Sequence, residues 1–363
     1  MIQKIQINNY KSIRSLDLDM KPINILIGSN GSGKSNFIGF FKFLKNIYDR
    51  NLQNHIAEEG SSEDILHFGS KVSSSLSGKI DFKEEEIEFY ASYEFELRPN
   101  ADYQLFFQDE YATIQQEKDG FPYKEKVGLS GRTESILCQW ESFVGMGVIA
   151  NMQSFRVFHF HDTSKTSALR KPAQLHDNDF FREDGANLPA FLYWLQQKHP
   201  KDFKKIELVI RSVDPFFDCF SLKAERLNEE QIRLRWKEKG SEAYFDAKHL
   251  SDGTLRFIAL ATLLLQPEPP QVVLIDEPEL GLHPFAINKL SALIQKASAR
   301  TQLIISTQSA NLVDNFDPED IITVDRKDNQ SAFKRQSLSE LQDWLDEYSI
   351  SDLWNKNVIG GRP

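Results

Sequence analysis

Hydrophobic and polar positions alternate at the start of the chain. Ile2, Ile5 and Ile7 stand among polar neighbours, and Ile23, Ile25 and Ile27 repeat the pattern directly before Gly28. A period of two sends alternate side chains to opposite faces, so both segments are predicted strands. The period then changes: Phe37, Phe40, Phe41 and Leu44 recur at helical steps. This predicts a helix over residues 35–48 whose N-terminus faces the glycine-rich turn before it. Strand spacing returns over residues 77–117, where Ile87, Phe89, Tyr93, Phe95 and Leu97 take one face and Glu88, Glu94 and Glu96 the other. A half-exposed antiparallel sheet reads this way. Asn100-Ala101-Asp102 divides two of its strands, and Lys118-Asp119-Gly120-Phe121-Pro122 ends the run. A further strand-like segment, residues 155–160, follows a stretch containing Gly145 and Gly147.

Between Thr163 and Lys248 the pattern reads as mostly helical, with Leu188, Phe191, Leu192 and Leu195 forming one stripe on a helix that stops at Pro200. Buried-strand patterning resumes at Val272-Val273-Leu274-Ile275 and at Leu303-Ile304-Ile305, with a helix predicted between them over residues 287–299. Ser339 with Gln342 three positions on predicts a capping box opening a last short helix. The expected organisation is an N-terminal part over 1–162 carrying a phosphate loop and a β subdomain, and a mainly helical lobe over 163–249. A C-terminal part of the same α/β head follows over 250–335, then a helix and tail over 336–363.

Composition narrows the class. With 363 residues, 40% hydrophobic and 12% aromatic, the chain can bury a substantial core. No basic-then-apolar leader opens the sequence, and no stretch approaches the roughly eighteen apolar residues of a membrane span. Only Cys138 and Cys219 occur, far apart, which excludes a disulfide framework and a paired-cysteine zinc site. A cytoplasmic protein without a membrane partner is expected. A net charge of -10 argues against a surface built throughout to coat nucleic acid. Lys201, Lys204 and Lys205, the densest basic group, read as a solvated helix face.

Three separated motifs carry the chemistry. Gly28-Ser29-Asn30-Gly31-Ser32-Gly33-Lys34-Ser35 lies between a predicted buried strand and a predicted helix. Glycines there let backbone amides converge on phosphates, Lys34 reaches the terminal ones, and the Ser35 hydroxyl suits Mg2+. Asn36 follows in the same nucleotide-binding turn. Asp276, ending an aliphatic strand, is the second expected magnesium contact, and Glu277 beside it is the expected general base. Leu250-Ser251-Asp252-Gly253 opens a strongly apolar helix. Taken alone it is equally an ordinary N-cap; beside the other two motifs it completes a nucleotide site, with Ser251, Asp252 and Gly253 at a helix start that favours anions. His159 and His161, two apart on a predicted strand, lack the further ligands a zinc site requires and read as packing residues.

Together the phosphate loop, the Ser251-Asp252-Gly253 signature, Asp276-Glu277-Pro278-Glu279 and Leu282-His283-Pro284 resemble the RecF/SMC-like branch of ABC-type ATPases. Tyr10-Lys11-Ser12-Ile13, Phe158-His159-Phe160-His161-Asp162-Thr163-Ser164 and Gly360-Gly361-Arg362-Pro363 resemble, within it, a compact group of bacterial AAA family ATPases that lack a coiled coil. The segment between Thr163 and Lys248 is accordingly too short for long heptad arms. The resemblance implies ATP and Mg2+ as cofactors and a homodimer formed on ATP binding. In that dimer the signature of one copy meets the terminal phosphate held by the other. It also implies that the loop from Glu279 to His283 crosses the dimer interface and that Ser306-Thr307-Gln308-Ser309 is the switch sensing that phosphate. Relatives usually carry histidine where Gln308 stands, and an amide donates a hydrogen bond but cannot become a cation. The glutamine expected after the mid-chain strand is not obvious; His161 or Asp162 stands near its place.

The resemblance further implies ATP hydrolysis in DNA repair or in defence against invading genomes. A different class of function, a nucleotide-controlled switch that holds and releases an effector protein with hydrolysis as its timer, fits the acidic composition. It also fits the short segment after Gln308, which leaves no room for a nuclease domain. DNA and an effector protein both stay open as partners. An ATP-binding subunit of a membrane transporter fits less well, because the separation of Lys34 from Ser251 is long for that class.

Overall fold

The computed structural model describes residues 1–84, 88–116 and 120–362. Ile87, read above as part of a strand face, and Glu117, Lys118 and Asp119 at the end of the same run lie outside the described residues, as does Pro363. The chain divides into two compact units, Met1–Phe155 with Asp317–Pro363, and Arg156–Phe316.

The first unit is built on an antiparallel six-stranded sheet of β1 (Ile2–Tyr10), β2 (Ile13–Asp19), β4 (Leu76–Glu84), β5 (Phe89–Pro99), β6 (Leu105–Gln116) and β7 (Tyr123–Lys126), in the order β2-β1-β4-β5-β6-β7. From Tyr93 onward the alternation behaves as read: Tyr93, Phe95 and Leu97 are buried, whereas Glu94 and Glu96 between them are not; Phe89, read on the same face, is half-buried. Against the buried face lies α1 (Lys34–Tyr48), reached from β3 (Ile23–Ile27) through the glycine loop. Phe40 and Phe43 of α1 pack on Phe95 and Tyr10 with ring centroids 5.2–6.3 Å apart, a spacing that favours edge and offset aromatic contacts. Strand β3 pairs in parallel with the strand Ile321–Lys327, which pairs antiparallel with Gln330–Arg335. The described part of the terminal glycine motif docks here too: Gly361 donates its N–H to Asp325 at 2.8 Å, and its carbonyl accepts from Trp354.

The second unit pairs Val272–Asp276 in parallel with Gln302–Thr307, both apolar and buried through most of their length. The apolar helix Asp252–Leu265 and the helix Pro284–Ala297 pack beside one another. The segment expected to be mostly helical carries two helices, Leu188–Lys198 and Pro200–Val213, together with two three-stranded sheets that the periodicity did not reveal. Their strands run two to five residues, too short to express a period. Pro200 stops the first helix and opens the second, where a residue without an N–H is tolerated. Lys201, Lys204 and Lys205 form the exposed face of that second helix, opposite buried Phe203, Ile206 and Ile210.

The capping box expected at Ser339 is not formed. The helix there spans Leu338–Leu345 with Ser337 as N-cap and no side-chain cap, so Ser339 stands inside the first turn rather than at the cap, its hydroxyl 2.7 Å from that of Ser337. The capping box lies one helix later, where Ser349 and Asp352 satisfy each other's backbone N–H at the start of Ile350–Asn355.

Candidate functional site

In the first unit the glycine loop joins the last residue of buried β3 to the first turn of α1, as the motif requires. Lys34 is buried, and its ammonium donates to the Gly28 carbonyl at 2.6 Å and the Ser29 carbonyl at 3.0 Å. It therefore lies along the loop's own backbone. Asn30 and Gly31 are exposed, Ser32 is buried, and the Ser35 side chain is exposed at the start of α1. A hydroxyl at that position is an oxygen donor suited to Mg2+, and the amides of the first turn suit phosphate. Gly33 has φ +117, a conformation L side chains rarely adopt, and a Cβ there would stand 2.0 Å from Ser331 Oγ. Asn36 donates to Ser12 Oγ at 2.7 Å.

The second unit gathers the acidic pair, the signature and the switch. Asp276 ends the strand Val272–Asp276 and is half-buried, its carboxylate a further hard oxygen ligand of the kind Mg2+ prefers. Glu277 follows at φ 41, in left-handed backbone that a non-glycine residue adopts only when its surroundings enforce it. Those surroundings are on hand: its N–H donates to the Ser306 carbonyl at 2.8 Å, and its Oε1 accepts from Gln308 Nε2 at 2.5 Å. Residue 308 thus reaches the expected base directly. Glu279, buried two positions further, accepts from the Thr307 hydroxyl at 2.5 Å and from the Gln308 N–H at 3.1 Å. Its second oxygen is buried without a hydrogen-bond partner. Burial is the main cause that raises this carboxyl above the ordinary carboxylate range, with the nearby Glu277 charge adding to it.

Ser251 caps the signature helix, accepting from the Thr254 N–H at 3.0 Å. Ser251 and Asp252 are exposed at the helix start. Gly253 is constrained by approach rather than by φ, since a Cβ would come within 2.4 Å of the Gly281 carbonyl. The loop expected to cross an interface therefore rests on the first turn of the signature helix.

Two arginines without a role assigned from sequence hold this arrangement. Arg170 donates to the carbonyls of Thr163, Ala247 and Leu250 and pairs with Asp252 at 2.7 Å. Arg256, on the signature helix, donates to the Phe160 carbonyl at 2.8 Å and the His161 carbonyl at 2.9 Å. His161, one of two residues standing near the missing glutamine, bonds through Nε2 to the Asp276 carbonyl at 2.7 Å. Asp162 instead turns back to the Ser164 N–H at 2.9 Å. Arg256 could be picked out by its place within the signature run; Arg170 had no local signal. Among the described residues no group of three or more His, Cys, Asp or Glu gathers as a metal cluster, and no helix is long and apolar enough to cross a membrane.

A family described as "AAA ATPase domain" matches residues 1–209, and one described as "AAA domain, putative AbiEii toxin, Type IV TA system" matches residues 151–314. The Old nuclease of Escherichia phage P2 is 22% identical over 93% of this chain and 61% of its own length. A putative ABC transporter ATP-binding protein of Mycoplasma genitalium is 26% identical over 46% of this chain and 51% of its own. The chain thus spans between about half and three-fifths of these curated relatives. Two solved structures share the fold. An Smc head bound to the C-winged helix domain of ScpA has a TM-score of 0.62 at 15% identity, covering 94% of this chain and 99% of the other. An Smc head domain with an extended coiled coil, bound to a ScpA domain from Pyrococcus furiosus, has a TM-score of 0.58 at 14% identity over 95% and 98%. The fold class is accordingly α/β, of the P-loop ATPase head type with an antiparallel β subdomain.

Proposed function

The chain belongs to the AAA ATPase domain family and is an ATP-hydrolysing enzyme, and from that premise we propose that it works with magnesium and dimerises around ATP, acting on DNA in repair or in defence against invading genomes. The phosphate loop from Gly28 to Ser35 binds the phosphates, with Lys34 moving from the loop carbonyls to the terminal oxygens. Ser35 and Asp276 would hold the metal, which when bound neutralises charge on the transferring phosphoryl group. Glu277 accepts a proton from the attacking water, and Gln308 keeps its carboxylate aimed. Ser251, Asp252 and Gly253 serve the nucleotide of the second copy.

The observation that carries this reading is the contact of Gln308 with Glu277. Hydrolysis needs a base held in one orientation, and here the carboxylate is fixed by an amide while its backbone is pinned to the neighbouring strand. Replacing Glu277 by Gln is expected to lower kcat by about a hundredfold or more while nucleotide binding persists. A variant that hydrolyses ATP at the native rate would remove Glu277 from the mechanism.

The DNA assignment is supported by the Old nuclease, aligned across most of this chain, and by a family description that names a toxin system. ATPase activity stimulated by duplex DNA, with binding that weakens steeply as salt rises, is the expected result. A second reading is favoured by the Smc heads solved with a ScpA domain attached and by the net charge of -10. It is a nucleotide-controlled switch that holds an effector protein. Indifference to DNA together with ATP-dependent capture of a protein would select it.

A further inference from the structure

The Tyr10-Lys11-Ser12-Ile13 motif has no part in the chemistry above, yet it lies under the phosphate loop. Ser12, in the turn between β1 and β2, is 2.7 Å from Ser331 Oγ. Ser331 stands on the strand Gln330–Arg335 and is 3% exposed. The directions of the bonds follow from the donors at each end. Asn36 Nδ2 can only donate, so Ser12 Oγ accepts from it at 2.7 Å. The Ser32 carbonyl can only accept, so Ser331 Oγ gives it its proton at 2.6 Å. With the Ser331 proton committed, the bond between the two hydroxyls has one direction left, from Ser12 to Ser331. The chain therefore runs Asn36 amide to Ser12 hydroxyl to Ser331 hydroxyl to Ser32 carbonyl, each hydroxyl accepting once and donating once. The Ser331 N–H also donates to the Ser12 carbonyl at 2.8 Å, which fixes the two residues side by side.

We propose that Ser12 and Ser331 are positioning residues of the phosphate loop, acting through the Ser32–Gly33 peptide; this rests on the reading of residues 28–35 as that loop. The peptide is trans, like every described one. In a trans peptide the carbonyl and the following N–H point in opposite directions. Holding the Ser32 carbonyl against Ser331 therefore aims the Gly33 N–H away from the hydroxyl chain, toward the side on which a phosphate cradle presents its amides. The same contact accounts for glycine at 33, because Ser331 Oγ occupies the place of its Cβ. Since the hydrogen-bonded chain begins at Asn36 on α1, the loop is braced by the helix it opens, by the β1–β2 turn and by one strand remote in sequence. Preorganised amides bind phosphate without a reorientation cost at the moment of binding. The effect belongs to nucleotide affinity rather than to the chemical step.

The test is the affinity of purified full-length variants for a fluorescent ADP analogue with magnesium, alongside kcat at saturating ATP. Ser331→Ala and Ser12→Ala are each expected to weaken binding about tenfold, the scale of leaving one buried polar group unpaired. The double variant should be little worse than either, because both break one chain. Ser12→Thr, which keeps the hydroxyl, should restore affinity, and kcat should stay within about twofold throughout. Lys34→Ala separates the premise from the proposal. If it binds the analogue like the native protein, the phosphate-loop reading falls and takes the proposal with it. If Lys34→Ala loses binding while Ser12→Ala and Ser331→Ala keep native affinity, or if their effects add in full, the hydroxyl chain has no positioning role. Should Ser331→Ala fail to fold, Ser12→Ala and the isosteric Asn36→Asp, which removes the donor, decide the matter by the same readout.

Discussion

Gly33 is the residue at which sequence, backbone and site constrain one another most tightly. Its φ of +117 and the Ser331 hydroxyl, 2.0 Å from where a Cβ would stand, both exclude a side chain, so Gly33→Ala must move either the loop or the strand that carries Ser331. Nucleotide affinity is expected to fall by more than tenfold, of the order of a backbone strain of about 1–2 kcal/mol or more, with the circular dichroism spectrum unchanged; unaltered affinity would show that the loop adjusts freely. Glu110 shows the electrostatic counterpart away from the site. It is 1% exposed and accepts from Tyr93, Ser135 and Arg132, and burial raises its carboxyl above the ordinary value of 4.5 despite those donors. A raised carboxyl means that the folded state holds the proton more tightly than the unfolded one. Its contribution to stability is therefore full below the unfolded value and is lost as pH rises through the folded value. Guanidinium midpoints of the native protein and Glu110→Gln, compared from pH 4 upward, should diverge in slope across that window and run parallel above it. Parallel curves throughout would mean that Glu110 does not titrate differently on folding.

At the scale of elements, the two serine-rich helix starts near the C-terminal end make a matched pair. Ser349 satisfies the Asp352 N–H and receives the reciprocal bond, whereas the Ser339 hydroxyl bonds only to Ser337 on the surface. Ser349→Ala should cost about 1 kcal/mol and Ser339→Ala less than about 0.5 kcal/mol, measured as shifts in denaturant midpoint; equal losses would remove the distinction. Both starts carry a pair of hydroxyl-bonded serines, Ser337 with Ser339 and Ser349 with Ser351, and what separates them is where the helix begins: Ser349 is an N-cap and Ser339 is already helical, a difference of one or two residues that the pattern does not display. The same limit governs the small sheets of the second unit. Asn228–Ile232 is polar until its last residue and Ala173–Gln174 has two residues; neither can display alternation. Long elements were legible for the opposite reason. In β5 and α1 several aromatic residues repeat at the period of the element, and all but Phe89, at the start of β5, are buried as the pattern requires.

For the whole molecule, the motifs were legible because each is a local arrangement of backbone and side chain, while their supports were not. Ser12 and Ser331 lie at opposite ends of the chain, and nothing near either serine marks the other as its partner. In the proposed dimer, what the protein does with its nucleotide depends on a second copy, and that makes a sharp demand on paired variants. If the signature acts in trans, each composite site draws its phosphate loop from one copy and its signature from the other. Lys34→Ala destroys the first part, and Ser251→Arg, which places a bulky side chain at the exposed helix start, obstructs the second. Each variant alone should be inactive. In a heterodimer of the two, one site unites both defects and the other unites both intact parts. Equal mixing makes about half of the dimers mixed, with one of two sites working, so about a quarter of native activity should return in a two-fold symmetric assembly. A mixture as inactive as its components would overturn the trans assignment, because a signature serving its own phosphate loop, or serving none, gives complementation no route.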